Sequence, residues 1–333
     1  MLRLTPPASL PDTPASISSD DTVDMRLTAV IYGGDGTNLF EFRTLDGHDV
    51  PPFTAGAHVD VNLPNGTIRQ YSIASSQADR TRYLLGVKLE ENGRGGSRFL
   101  HEQVRVGSVL KIGMPRNNFP LNETAVSSVF IAGGIGITPM LCMIDRLKTL
   151  GRDFKLHYAV RARTEALLAQ IDEADERICL HVDDEQDGRL LDIAAIVATT
   201  APDAELYCCG PAPMLAAFET ACAGRPPQRV HLERFSAPDN VAATGGAYIV
   251  ELAKSKRSIT VQSGQTLLQA LQDAGLKIKV SCEQGICGTC ETRVIAGLPD
   301  HRDMILSDDE KASNETMMVC CSGSLTPTLV LDL

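Results

Sequence analysis

Three cysteines fall within nine residues near the end of the chain, at Cys282, Cys287 and Cys290 in SCEQGICGTCETRV, and Cys320 follows after 29 intervening residues. This C-x4-C-x2-C…C spacing is the one with which four thiolates hold a 2Fe–2S cluster, a one-electron carrier. Gly285 and Gly288 suit that chemistry, because a backbone without side chains can wrap close to the sulfides and aim N–H groups at them. Zinc is the alternative use of clustered thiols. A zinc site is usually built from two C-x2-4-C pairs, whereas the second half here offers only the adjacent Cys320 and Cys321. If that segment is extended, neighbouring side chains point to opposite sides, so Cys320 is the expected fourth ligand and Cys321 a bystander.

The other five of the ten cysteines, Cys142, Cys179, Cys208, Cys209 and Cys222, sit among apolar neighbours and are expected as small buried hydrophobes. At 333 residues the chain has room for about two to three domains. A net charge of −11 argues against a nucleic-acid partner, which needs clustered Lys and Arg. The opening residues contain no apolar run, and no later stretch approaches the roughly 20 apolar residues of a membrane-spanning helix. A soluble cytoplasmic protein without a disulfide framework is therefore expected.

Residues 1–24, rich in Pro, Ser and Asp, are expected to be a disordered arm. Residues 25–123 carry strand signals, with Val59, Val61 and Leu63 alternating before a tight turn at Pro64–Asn65–Gly66, and form an antiparallel β-barrel. Residues 124–235 alternate strand and helix, which means a parallel sheet covered by helices. Strands are expected at Val129–Ala132, Lys155–Val160, Ile178–Val182 and Glu205–Cys208. A helix is expected with Thr138 as N-cap, Pro139 at its first position and Gly151 just past its end. Residues 236–247 read as a linker. Residues 248–333 form a small α+β unit with a hairpin-like start, a helix at Thr266–Ala274, and then the cysteines.

Two further groups of motifs bear on chemistry. RQYSIASS, beginning at Arg69, follows the hairpin strand, and GRGGSRFLH lies some 20 residues beyond. A Gly-Gly-Ser at a helix start presents N–H groups and a hydroxyl to a phosphate, with Arg69 as countercharge and Tyr71 as an aromatic surface for a flavin ring. AGGIGITP is either a phosphate-side glycine turn or a βα loop that needs small residues for packing, and it lacks the G-x-G-x-x-G fingerprint. LYCCGPAPML sits at another strand end, where ligands of parallel sheets gather. HLERF ends on the aromatic Phe235.

In this order the motifs R-x-Y-S, G-R-G-G-S, G-G-I-G-I-T-P, C-G-P, E-R-F and C-x4-C-x2-C…C resemble the phthalate dioxygenase reductase family. That family belongs to the ferredoxin–NADP reductase group and includes the reductases of vanillate demethylase and carnitine monooxygenase. The resemblance covers residues 25–333. It implies a multidomain chain: an FMN-binding barrel, an NADH-binding α/β domain and a C-terminal plant-type ferredoxin domain of β-grasp form. It further implies a monomer that delivers electrons to a Rieske non-haem iron oxygenase. Carried over by motif, Arg69, Gln70, Tyr71 and Ser72 line the FMN, Val87 and Lys88 lie along its ring edge, and Gly95, Gly96 and Ser97 hold its phosphate. Thr138 and Phe235 touch the ring from the nucleotide domain, and Gly134, Gly136, Cys209, Gly210 and Pro211 face the nicotinamide nucleotide. The cluster ligands fall on Cys282, Cys287, Cys290 and Cys320. One departure is Gly323, where many members carry an arginine that bears on partner docking.

The three cofactors make one device. NADH gives up a hydride, a 2Fe–2S cluster takes single electrons, and a flavin between them converts one into the other. No acid–base residue is expected, with Ser72 and Cys209 as positioning groups only. Arg161 and Arg163, after a strand end, are either a grip for the 2′-phosphate of NADPH or surface arginines. Two other readings fit the motifs less well: an FAD- and NADPH-dependent reductase serving a haem oxygenase, and a cluster-bearing redox sensor.

Overall fold

The structure, a computed structural model, describes residues 22–91, 93–236 and 246–333. Most of the expected arm and of the expected linker lies outside the described residues.

Strands β1 (Thr22–Gly34), β2 (Thr37–Thr44), β3 (His58–Asn62), β4 (Ile68–Ser72), β5 (Tyr83–Lys88) and β6 (Val109–Gly113) make an antiparallel sheet in the order β4-β3-β6-β1-β2-β5. It closes where Ile73 bridges Leu85 and the Ala74 N–H donates to the Leu84 carbonyl. Closure satisfies the sheet edges. The expected turn joins β3 to β4, with Gly66 at φ +83, a conformation that favours glycine. A short helix, α1 (Gly96–Glu102), follows β5. Strand β1 starts three residues earlier than expected. Thr22, Val23 and Asp24 pair with Gly113, Ile112 and Lys111 of β6, and Lys111 Nζ sits 3.0 Å from Asp24. Their polar composition resembles an arm, but the edge of β6 supplies ladder partners that local composition cannot report.

The second unit is a parallel sheet of β7 (Ser127–Gly133), β8 (Asp153–Val160), β9 (Ile178–Val182), β10 (Glu205–Cys209) and β11 (Val230–Glu233), ordered β11-β10-β7-β8-β9. Helix α2 (Thr138–Leu150) covers one face, and α3 (Ile193–Thr199) and α4 (Ala212–Cys222) cover the other. The order reverses between β7 and β10, so their carboxyl ends flank a topological switch point, where ligands of such sheets bind. Helix α2 ends at Gly151 in the left-handed region, as expected. Its start corrects the sequence reading: Thr138 is not the N-cap. A 3-10 turn over Gly134–Ile137 runs directly into α2, Thr138 is already helical, and its hydroxyl donates to the Ile135 carbonyl at 2.9 Å.

The third unit contains β12 (Tyr248–Leu252), β13 (Arg257–Val261), α5 (Leu267–Asp273), β14 (Glu291–Ala296), β15 (Pro299–Asp300), α6 (Asp308–Ser313), β16 (Thr316–Met318), β17 (Gly323–Ser324) and β18 (Thr328–Leu331). Five strands form a mixed sheet, β13-β12-β18-β14-β16, while β15 pairs with β17. Capping boxes start both helices, Thr266 with Gln269 and Ser307 with Glu310. The barrel and the parallel sheet share one apolar core that includes Phe119, Phe130, Met143 and Tyr207. The third unit has its own core around Val250, Leu271, Met317 and Leu329. Among the described residues, no helix is long and apolar enough to cross a membrane.

Candidate functional site

The loop between α5 and β14 carries three thiols without regular secondary structure, and the turn after β16 brings the fourth to it. All four thiols are buried. Cys282 lies within hydrogen-bonding reach of Cys287 and Cys320, and Cys320 also reaches Cys290 and Cys321. Hydrogen bonds from Cys287 and Cys320 hold the Cys282 thiol far below its ordinary value, and those on Cys287 and Cys320 are pushed up in turn. The Gln284 N–H donates to Cys282 Sγ at 3.3 Å, as expected of a loop that serves thiolates. Among the described residues, no three His, Cys, Asp or Glu side chains converge on a single-ion site. A binuclear cluster makes a different demand, two thiolates on each of two irons, and the contacts bring the four thiols Cys282, Cys287, Cys290 and Cys320 into one group.

Strand alternation does not decide between Cys320 and Cys321. Residues 319–321 form a turn, not an extended strand, and the Cys321 and Ser322 N–H groups both donate to the Met318 carbonyl. The turn, not strand alternation, aims Cys320 at the other thiols. Cys321 instead lies against Gly285, where an added Cβ would come within 2.5 Å of its sulfur. Gly285 also has φ +71, so both space and backbone demand glycine. At Gly323, where many family members have arginine, the Arg302 guanidinium lies over the position, 3.2 Å from an added Cβ.

At the switch point, the glycine turn after β7 meets the loop after β10. An added Cβ on Gly136 would stand 2.2 Å from the Cys209 carbonyl oxygen, and one on Gly133 2.6 Å from Pro211. These two glycines are needed for packing. Gly134 differs: it has φ +52, and nothing lies within 4 Å of an added Cβ, so its face is open. Cys209 is wholly buried, and its thiol is pushed well above the ordinary value by burial and by Glu233 and Cys208. It remains protonated and acts as packing.

Parallel register sets Ala132, Cys209 and Glu233 in one row. Glu233 was overlooked in the sequence, although it stands in the quoted HLERF. Desolvation pushes its carboxyl pKa up to about 8, the residue as a whole being half-buried, and it accepts a hydrogen bond from Ser72 Oγ at 3.4 Å. Thus Ser72 of the barrel and Glu233 of the sheet meet at the crevice.

The barrel side assembles the remaining residues. Arg69 spans to the turn before α1, donating to the Arg94 carbonyl at 2.9 Å, and its stem lies where a Cβ on Gly96 would stand 2.4 Å away. Gly95 has φ +82 and open space at its Cβ position. The Ser97 hydroxyl accepts from the Glu90 N–H at 3.0 Å. Tyr71 has its phenol pushed upward by burial, and Gln70 Nε2 is buried without a hydrogen-bond partner. Thr138 is 1% exposed with its methyl against Gly86, and Phe235 is 43% exposed beside the crevice strands. The Val87 side chain is in the core, so only its backbone is available, with its carbonyl taken by His101 Nε2–H. Lys88 pairs with Glu165 of the nucleotide unit at 3.3 Å.

An open glycine turn beside an arginine, an orphaned amide and four converging thiols fit a flavin and a 2Fe–2S cluster. Residues 24–120 match the model of the oxidoreductase FAD-binding domain, and residues 250–323 match that of the 2Fe-2S iron-sulfur cluster binding domain. The chain is 49% identical over 93% of its length to the phenoxybenzoate dioxygenase subunit beta of Ectopseudomonas oleovorans, covering 97% of that protein. It is 48% identical over 94% of its length to the tetrachlorobenzoquinone reductase of Sphingobium chlorophenolicum, covering 98% of it. The solved phthalate dioxygenase reductase superposes with a TM-score of 0.72 at 34% identity, covering 95% of this chain and 99% of that one. The chain belongs to the phthalate dioxygenase reductase family. It is an oxidoreductase with a flavin barrel, a nucleotide sheet and a 2Fe–2S domain, of the kind that serves as the reductase component of an oxygenase system.

Proposed function

We propose that this reductase takes a hydride from NADH onto FMN and passes single electrons through its cluster to a Rieske-type oxygenase, as a cytoplasmic monomer. The observation that carries the reading is the meeting of Ser72, Glu233 and Cys209 at the switch point, with the cluster loop against the neighbouring barrel strand. Bound FMN supplies conversion of a two-electron hydride into single electrons. The chain supplies the positions. Arg69 and the N–H groups of Gly95, Gly96 and Ser97 hold the phosphate, Tyr71 and Phe235 offer aromatic faces, and Gln70 Nε2 donates to the ring's polar edge beside the Ser72 hydroxyl, which Glu233 orients. Gly134, Gly210 and Pro211 leave room for the nicotinamide nucleotide, with Thr138 beneath. Cys282, Cys287, Cys290 and Cys320 hold the irons.

The single phosphate turn favours FMN. The NADH preference is supported by Arg163, whose guanidinium is already engaged by Glu173 and Glu185, each at 2.8 Å, which leaves Arg161 as the remaining candidate grip for a 2′-phosphate. The purified protein is expected to be red-brown, with one flavin and two irons per chain, the flavin having the mass of FMN. Extraction followed by mass and metal analysis checks this, and zinc without iron and sulfide would refute it.

The outgoing partner meets an acidic surface. Asp308 and Asp309 open α6 and are exposed beyond the Ser307 capping box, where they suit the helix dipole and can also steer a basic patch. Changing both to Asn is expected to slow oxygenase reduction at low salt and flatten its salt dependence, with dye reduction by NADH unchanged. An unaltered salt profile would leave them as cap residues alone.

A further inference from the structure

The antiparallel register of β3 and β4 sets His58 opposite Ser72 and Asp60 opposite Gln70. Directly opposed and alternate residues share a face, so these four stand together on the outer face of the barrel, away from the core residues Val59 and Val61. One end of this stripe meets the nucleotide unit through Ser72 and Glu233. The other end meets the ferredoxin unit. Ser281 Oγ donates to Asp60 Oδ1 at 2.7 Å, and both residues are buried, at 3% and 8% exposure. Arg116 pairs with Asp60 at 2.9 Å and donates to Thr289 Oγ1 at 3.3 Å. Asn118 Nδ2 donates to the Cys287 carbonyl at 3.2 Å. Ser281 and Thr289 directly precede Cys282 and Cys290, so the barrel grips the chain at or beside every thiol of the loop.

We propose that Asp60, Arg116 and Asn118 are positioning residues that seat the cluster loop on the strand pair bearing the flavin contacts, and that transfer from flavin to cluster depends on this seat. The proposal rests on the functional reading above. Its physical basis is that the two units have separate apolar cores, so their alignment falls to specific polar contacts. The Asp60–Arg116 pair is shielded enough that removing one partner leaves an uncompensated charge. Asp60 thus serves both units, accepting from the ferredoxin loop and holding the arginine that reaches Thr289.

Two measurements on the full-length protein test it. Amide hydrogen exchange needs neither cofactor nor turnover. In Asp60→Asn and Asn118→Ala, exchange across residues 283–289 is expected to rise by at least about tenfold, while β12 and β18 of the ferredoxin core keep the parental rates. Stopped-flow absorbance of the holoprotein follows the two steps separately. Flavin bleaching by NADH is expected at the parental rate, and cluster reduction is expected to slow by about tenfold or more, with recovery in Asp60→Glu. Unchanged exchange at residues 283–289 would overturn the seat whatever the cofactor content. Equal slowing of both steps with lowered thermal stability would also overturn it, by reducing the ion pair to barrel stability. Flavin and iron content of the parent separately tests the functional reading.

Discussion

Cys290→Ser is expected to abolish electron delivery to one-electron protein acceptors while leaving NADH-driven bleaching of the flavin intact. The Cys290 thiol lies within hydrogen-bonding reach of Cys320, which the turn after β16 brings to the loop. A hydroxyl in its position is a poor iron ligand because it is far harder to deprotonate than a thiol. Loss of a direct ligand should lower delivery by more than about a hundredfold, since even disturbance of a ligand's supporting hydrogen bonds costs 10–100-fold. Hydride acceptance belongs to the barrel and sheet, which share a core that the ferredoxin unit does not enter. Its rate should therefore remain within about twofold. Reduction of cytochrome c, anaerobic flavin bleaching and iron analysis on one preparation check the separation. A folded variant whose flavin no longer bleaches would show that the two steps are not separable.

The second large effect is one of pH. Burial pushes the Glu233 carboxyl up to about 8, and the Ser72 hydrogen bond only partly opposes this. The folded chain therefore keeps a proton there at pH 7 that the unfolded chain, with an ordinary carboxylate, has lost. A raised carboxyl pKa means that the native state binds more protons between the ordinary carboxylate value and about 8. Stability must then fall as pH rises through that window, by on the order of a few kcal/mol across the whole of it. Glu233→Gln resembles the protonated acid in shape and charge. It should melt close to the parent at pH 5, melt several degrees higher at pH 8.5, and show a flatter profile between. Because Glu233 accepts from Ser72 at the flavin crevice, the parental rate of flavin reduction should also change near pH 8, and the variant should lack that limb. Melting curves and single-turnover kinetics across pH 5–9 test both. A parental profile in the variant would mean that another group titrates.

Local signals were reliable where the physics is local. The turn at Gly66, the left-handed stop at Gly151 and the helix after Thr266 each depend on a few neighbouring residues, and each appears in the structure. The same local reasoning failed where the answer lay elsewhere in the chain. Thr22 to Asp24 look like arm residues until β6 supplies their ladder partners. Thr138 has the composition of a cap, but the glycine turn before it is already helical. The Cys320–Cys321 pair was read by strand alternation, whereas a turn sets its direction.

By itself the sequence determined the inventory of chemistry: four thiols at cluster spacing, a glycine turn with an arginine for a phosphate, and glycine-rich strand ends for a nucleotide. Spacing within a single loop is enough for Cys282, Cys287 and Cys290, because the ligands of one loop share one short backbone, and β14 and β16 then bring Cys320 to them. Only the tertiary structure decided how the three sites communicate. Glu233 comes to the flavin crevice through parallel pairing with β10 and then packing against Ser72 of another domain. Asp60 comes to the cluster loop across 221 positions of sequence. Register between distant strands and alignment between domains arise from the summed packing of the whole chain, which no short stretch of sequence encodes.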